Sequence, residues 1–419
     1  MSGNYFLAHG IPNKDIFTYT ASSFSWVDHE WLSDIIVSLL NKIGGYNLIA
    51  IFCAVLWTLA VFITSKKNKS IYLVLLSLIT FLSFAGIRTI VWSILGLAVV
   101  INVTAMKSNK KYFLLPLIFL IWSNLHGSFL IGILYLVFIA IKNRSLKMFI
   151  TTAISLCLTL INPYFINLYV EIFRTMLDVE LKNQISEWQP FSIPTICWPY
   201  IILWIMSIFV VNFDFYKKNK RLFPFLFEII LFIASLSSVR MTPLFIVASF
   251  NGIYDRFHDL RRTIPNKLDI SQKVAVIGMV VIYTLFSIGS AVLYYKDGIS
   301  LDKEATYPKQ VVKYIQKNNL CTIGNIFNHY NYGGYLIWKL PEHKYYIDGR
   351  MPSWKDGNTK YFDEYDKILK NESYQTKQFK KYNIVCAIVP NDESDFINSL
   401  VRQNWLKIQH DDSVLLIKH

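Results

Sequence analysis

The sequence predicts a polytopic α-helical membrane protein with a small C-terminal α/β extracytoplasmic domain. Three observations carry that expectation. The 419 residues are 53% hydrophobic and only 17% charged, whereas soluble domains carry about 25% charged residues. Apolar runs of near-spanning length recur between Gly44 and Tyr295. Beyond Lys296 the charge becomes nearly balanced and short strand and helix patterns replace the apolar runs.

Taken in order, residues 1–43 precede the first apolar run. They contain Asp15–Ser33, where four ionisable groups (Asp15, Asp28, His29, Glu30) are mixed with Phe17, Tyr19, Phe24, Trp26 and Trp31. Such a segment suits the aqueous face just before a bilayer, with its aromatic rings at the interface. A carboxylate beside an apolar boundary is also where a general base is readily arranged. An amphipathic entry loop that only anchors the first helix fits the same residues.

Residues 44–295 form the membrane region. A span needs about 20 apolar residues, fewer when it is packed among others. Candidate runs are Gly44–Thr64, Ile71–Ala85, Ile90–Met106, Tyr112–Ser123, Ser128–Ile141, Met148–Ile161, Pro199–Phe213, Leu222–Ser237, Met241–Ile253 and Val274–Tyr295. Every second connection is rich in Lys and Arg, beginning with Lys66, Lys67 and Lys69. The positive-inside rule puts these connections in the cytoplasm. The opening loop, Asn162–Trp198 and the tail 296–419 then share the outer face. In the tail, Tyr307–Lys317 and Asp395–Gln403 read as helices. Thr322–Phe327, Lys344–Ile347, Ile384–Val389 and Val414–Ile417 read as strands.

The net charge of +14 does not point to nucleic acid, because its excess lies mostly in short loops. The five cysteines have no metal-ligand spacing. Cys53 and Cys157 lie in apolar runs, and Cys321 and Cys386 share the tail, where a disulfide between them stays open. No Ser/His/Asp arrangement or HExxH motif appears, nor a cleavable signal peptide.

Lone arginines on the outer side, Arg88 and Arg240, suit a phosphate, since guanidinium binds phosphate bidentately. Snorkelling to head groups is the other reading. His126, in Trp122-Ser123-Asn124-Leu125-His126-Gly127, marks an outer turn. Glu187-Trp188 pairs a carboxylate with an indole, as a sugar site would, or forms a surface turn. Asp348 and Arg350 read as a pair that fixes a turn.

These motifs, with Gly10-Ile11-Pro12, Trp26-Val27-Asp28-His29-Glu30-Trp31-Leu32, Asn162-Pro163-Tyr164, Tyr332-Gly333-Gly334-Tyr335 and Ile347-Asp348-Gly349-Arg350, resemble GT-C-type membrane glycosyltransferases. The similarity is to a group of mostly uncharacterised bacterial members, distantly similar to protein mannosyltransferases and the aminoarabinose transferase of lipid A. The resemblance implies a polyprenyl-phosphate sugar donor and a lipid, glycan or protein acceptor on the outer face. It implies inversion at the sugar carbon, with Asp15 as general base and Asp28 and Glu30 as the next candidates. Arg88, Arg240 and His126 would bind the donor phosphate, and Glu187 and Trp188 the acceptor. No cofactor is required, although some members use a divalent metal. GT-C proteins normally enter this loop from a transmembrane helix, and this chain opens at Met1-Ser2-Gly3 already outside, so a truncated start or a member without that helix is expected. A transporter or flippase of lipid-linked glycans, or a non-catalytic assembly protein, is the alternative.

Overall fold

The computed structural model describes residues 1–65, 86–178, 188–190, 226–250, 307–410 and 413–418. The runs Ile71–Ala85, Pro199–Phe213 and Val274–Tyr295 and the residue Glu187 lie outside these. The chain divides into two compact units, one of Gly3–Val27 with Leu293–His419 and the other of Asp28–Val292. The opening 43 residues are thus shared between them.

A short helix α1 (Ser2–His9) opens the chain. In the second unit, α2 (Trp31–Ser65) is broken at Gly44-Gly45, where Gly45 takes φ +62°, a conformation that favours glycine. The portion after the break has about 20 residues, about 30 Å of helix, enough to cross a hydrocarbon core. Among the described residues α2 is the one helix both long and apolar enough to span a membrane. The apolar helices α3 (Ile90–Thr104), α4 (Lys111–Leu125), α5 (Phe129–Lys142), α6 (Leu146–Leu158) and α8 (Leu226–Ser237) are shorter. Between the last two lies the amphipathic α7 (Asn167–Leu177). Small residues let α3, α4 and α5 approach closely. A Cβ on Gly96 or Gly132 would come within 2.5 Å of the Trp122 ring, so the indole on α4 is clasped between two glycines.

The first unit carries a four-stranded sheet of β1 (Asn325–Asn328), β4 (Ile384–Val389), β5 (Trp405–Gln409) and β6 (Val414–Lys418), in the order β1-β4-β6-β5. The β1–β4 pair is parallel and the others antiparallel. A small hairpin joins β2 (Lys355–Asp356) to β3 (Thr359–Lys360). Helices α9 (Lys309–Asn318), α10 (Gly333–Lys339), α11 (Tyr361–Lys370), α12 (Glu372–Lys381) and α13 (Ser394–Arg402) complete the domain. Val311, Ile315, Tyr332, Leu336, Ile388 and Leu415 lie in one buried core. Cys321 and Cys386 form a disulfide. Gly333 is required where α10 begins, since a Cβ there would sit 2.4 Å from the Ile347 carbonyl.

Lys344–Ile347, expected as a strand, makes only isolated bridges. Tyr345 pairs in parallel with Ile326 on one side and Thr18 on the other. The N-terminal segment therefore covers the β1 side of the sheet, an edge that would otherwise offer unpaired backbone groups. Tyr345 N donates to Phe17 O at 3.1 Å, Tyr19 N to Tyr345 O at 3.2 Å, and Thr20 Oγ1 to Tyr346 O at 2.6 Å.

Candidate active site

The residues Asp28-His29-Glu30 lead directly into α2. Asp28 Oδ1 accepts the Glu30 backbone N–H at 2.9 Å, a local turn of the kind Asp favours. That turn sets the Glu30 side chain. Its Oε1 accepts from Thr89 Oγ1 at 2.8 Å and lies 3.2 Å from His126 Nε2 and 3.5 Å from His29 Nε2. The other oxygen, Oε2, makes no hydrogen bond among the described residues, and the side chain keeps 21% exposure.

His126 caps the C-terminal end of α4 in an extended conformation. Its Nδ1 accepts the Ser128 N–H at 3.1 Å and lies 3.0 Å from Ser93 Oγ. An accepting Nδ1 leaves the proton on Nε2, which then donates to Glu30. Asn124, two residues before, accepts from Trp31 Nε1 at 2.9 Å and donates to Ile161 O at 3.0 Å. That amide ties the start of α2 to the end of α4 and to Ile161. Arg240, in a 3-10 turn after α8, brings Nη2 to 3.4 Å from His126 Nε2. Its guanidinium lies 5.3 Å from the Trp188 ring centroid, a cation–π distance. Among the described residues Arg240 forms no ion pair.

The electrostatics sort these groups. Burial alone would raise the Glu30 carboxyl, but hydrogen bonds from His126 and His29 outweigh it and hold the group well below the usual carboxylate range. Burial, then the nearby Asp34 charge, pushes Asp28 up to about 8; its Oδ2 is buried without a hydrogen-bond partner among the described residues. Burial would lower His29, yet the hydrogen bond and charge of Glu30 raise it. His126 is lowered, by burial first and by the Arg240 charge. It is therefore neutral and consistent with its assigned tautomer. A charged carboxylate, a neutral imidazole and a guanidinium without an ion-pair partner among the described residues stand in sequence.

Of the residues singled out in the sequence, Asp28, Glu30, His126, Arg240 and Trp188 belong to this cluster. Arg88 is exposed in the turn just before Thr89. Asp15 belongs to the other unit. There its Oδ1 accepts from Phe17 N at 3.4 Å and Arg350 Nη2 at 2.7 Å. Its Oδ2 accepts from Thr18 N at 2.8 Å and Thr18 Oγ1 at 2.5 Å. A carboxylate has about four acceptor sites, and with the side chain fully buried none is left for a substrate proton. Asp348 Oδ1 also accepts Arg350 Nε at 2.9 Å and Oδ2 accepts Nη2 at 2.6 Å, so the expected Asp348–Arg350 pair is present. The guanidinium lies 4.8 Å from the Phe17, 4.4 Å from the Trp26 and 5.3 Å from the Trp354 ring centroids.

The sequence reading passed over Thr89 and the role of His29. His29 had a signal, lying between two acids; Thr89 had only its place beside Arg88. Among the described residues no group of three or more His, Cys, Asp or Glu side chains is arranged to hold a metal ion.

Comparison with solved structures places the fold. The chain matches the archaeal oligosaccharyltransferase AglB from Archaeoglobus fulgidus, solved in complex with an inhibitory peptide and a dolichol-phosphate, with TM-score 0.52. It matches the apo form of the A. fulgidus oligosaccharyltransferase with TM-score 0.51. The likeness is one of fold. Identity is 12% in both, over 96% of this chain and 66% of the other, so the chain spans just under two thirds of their length. No protein-family model and no curated protein matches.

Proposed function

We propose that the chain is a membrane glycosyltransferase that moves a sugar from a polyprenyl-phosphate donor to an acceptor hydroxyl on the extracytoplasmic face. The observation that carries this reading is the Glu30–His126–Arg240 arrangement, in a fold shared with an oligosaccharyltransferase solved with a dolichol-phosphate. The acceptor oxygen attacks the anomeric carbon as the bond from that carbon to the phosphate oxygen breaks, inverting the centre. The electron pair leaves on the phosphate, where Arg240, with Arg88 as a second candidate, offsets the charge. The acceptor proton passes to a carboxylate.

Among the three candidate bases Glu30 is favoured. Asp15 is saturated by hydrogen bonds and Asp28 holds its proton at neutral pH. Glu30 is ionised, and among the described residues its Oε2 is left available. Its low basicity fits a late proton transfer, once bond formation has made the hydroxyl acidic. His29 and His126 hold the carboxylate in place, and Trp188, from the acceptor pair expected at Glu187-Trp188, offers its ring beside Arg240. The Cys321–Cys386 disulfide supports an oxidising, extracytoplasmic compartment for the C-terminal domain.

The test is transfer from radiolabelled polyprenyl-phosphate sugars to endogenous acceptors in membranes holding the chain or Glu30→Gln. Transfer by the parent that vanishes in the variant at equal expression supports the reading. Equal transfer by both removes Glu30 as base, and none by either, across donors, favours a non-catalytic assembly protein.

A further inference from the structure

The C-terminal domain carries its charge unevenly. Residues 307–344 hold five lysines (309, 313, 317, 339 and 344) against one acid, Glu342, while residues 345–419 hold eleven basic and eleven acidic side chains. Lys313 and Lys317 are exposed four residues apart on α9, hence on one face, and α9 contains no acid. Gln316 on the same helix donates to the Lys339 carbonyl at 3.1 Å, which sets the end of α10 beside it. There Trp338 is 41% and Tyr307 44% exposed. The Tyr307 and Tyr335 rings stack at 5.1 Å, and Tyr335 meets Trp338 edge-on at 6.2 Å. Lys339 Nζ sits 3.5 Å from the Trp338 ring centroid.

We infer that this patch of lysines and aromatic rings on α9 and α10 is a docking surface for an anionic lipid head-group layer. Exposed Trp and Tyr favour the membrane interface, and clustered lysines are drawn to anionic lipid, each strengthening attachment roughly fivefold. The chain keeps the surface within reach. The last apolar run ends at Tyr295, twelve residues before Tyr307, a tether of at most about 40 Å. A glycan fits less well. Lys339 occupies a ring face on which a sugar would stack, Tyr307 and Tyr335 turn faces to each other, and a neutral sugar offers the lysines no counter-charge.

This inference rests on the membrane reading but not on glycosyl transfer. The full chain would be reconstituted in vesicles of phosphatidylcholine alone or mixed with phosphatidylglycerol, and amide exchange followed at 309–318 and 333–339. Exchange there should slow by about tenfold or more in anionic vesicles. The protection should disappear in K313E/K317E/K339E and at about 1 M salt, where the Debye length falls to ~3 Å. Exchange in the central strand 384–389 checks that the variant is folded. Equal exchange in both lipids, or protection brought by a soluble oligosaccharide in neutral vesicles, overturns the proposal. Flotation separates the two readings: a chain that floats without lipid-dependent protection overturns the patch alone, and one that does not float overturns both.

Discussion

Asp15 and Glu30 are only fifteen positions apart, and both lie in the polar stretch that precedes the first apolar run, yet they do different work. Asp15 is closed: four donors, two of them from Thr18 and one from Arg350, fill its acceptor sites. Glu30 is held through one oxygen by Thr89, His126 and His29, and the other oxygen is unengaged among the described residues. A carboxylate with every lone pair committed organises structure, whereas one anchored on a single side can exchange a proton. Proximity to the membrane in the sequence does not separate the two; the count of donors does.

The contrast is broken most directly at Glu30. Glu30→Gln keeps the size and removes the proposed base, so transfer should fall by roughly 10²–10⁴-fold. A loss of folding instead of turnover would move Glu30 to the structural side. Arg350→Ala is the converse. It strands Asp15 and Asp348 as buried carboxylates and should cost about 3–5 kcal/mol in the C-terminal domain, read as faster proteolysis or amide exchange within 307–418. Unchanged protection would mean that the ion-pair network is dispensable.

Arg240→Ala should lower turnover by on the order of 10²–10³-fold, while Arg240→Lys recovers part of it. If both variants match the parent, the phosphate is held elsewhere. The last contrast is one of pH and is expected at Asp28. Its folded pKa of about 8 lies above the unfolded value of about 3.9, so the folded state binds the extra proton and stability falls as pH rises from about 4 through 8. Asp28→Asn should flatten that slope in thermal unfolding of the detergent-solubilised chain. A slope unchanged by the substitution would place the titrating group elsewhere.

Much of this was legible in the sequence. Ile384–Val389 appears as the strand that its apolar run predicts, and α9 and α13 fall within two residues of their expected bounds, because periodicity reports burial directly. β5 was missed. Its pattern, Trp405 buried and Leu406 and Lys407 exposed, is that of an edge strand with weak alternation. Glu30, His126 and Arg240 were visible as polar residues at the ends of apolar runs, but their convergence was not, since it depends on how helices far apart in sequence pack. The status of Asp15 was the least accessible. Nothing around Asp15 announces Arg350, 335 residues away.

The pairing of the N-terminal segment with Tyr345 also has a consequence in time. Chains grow at about 5–20 residues per second, so Asp15 through Trp26 wait roughly 15–60 s before Tyr345 and Arg350 have been made. During that interval four aromatic rings and a carboxylate have no docking partner from the C-terminal domain, and the β1 side of the sheet cannot be finished. The domain is thus completed from both ends of the chain, and an alteration in the first 27 residues is felt as an unfinished edge more than 300 residues later.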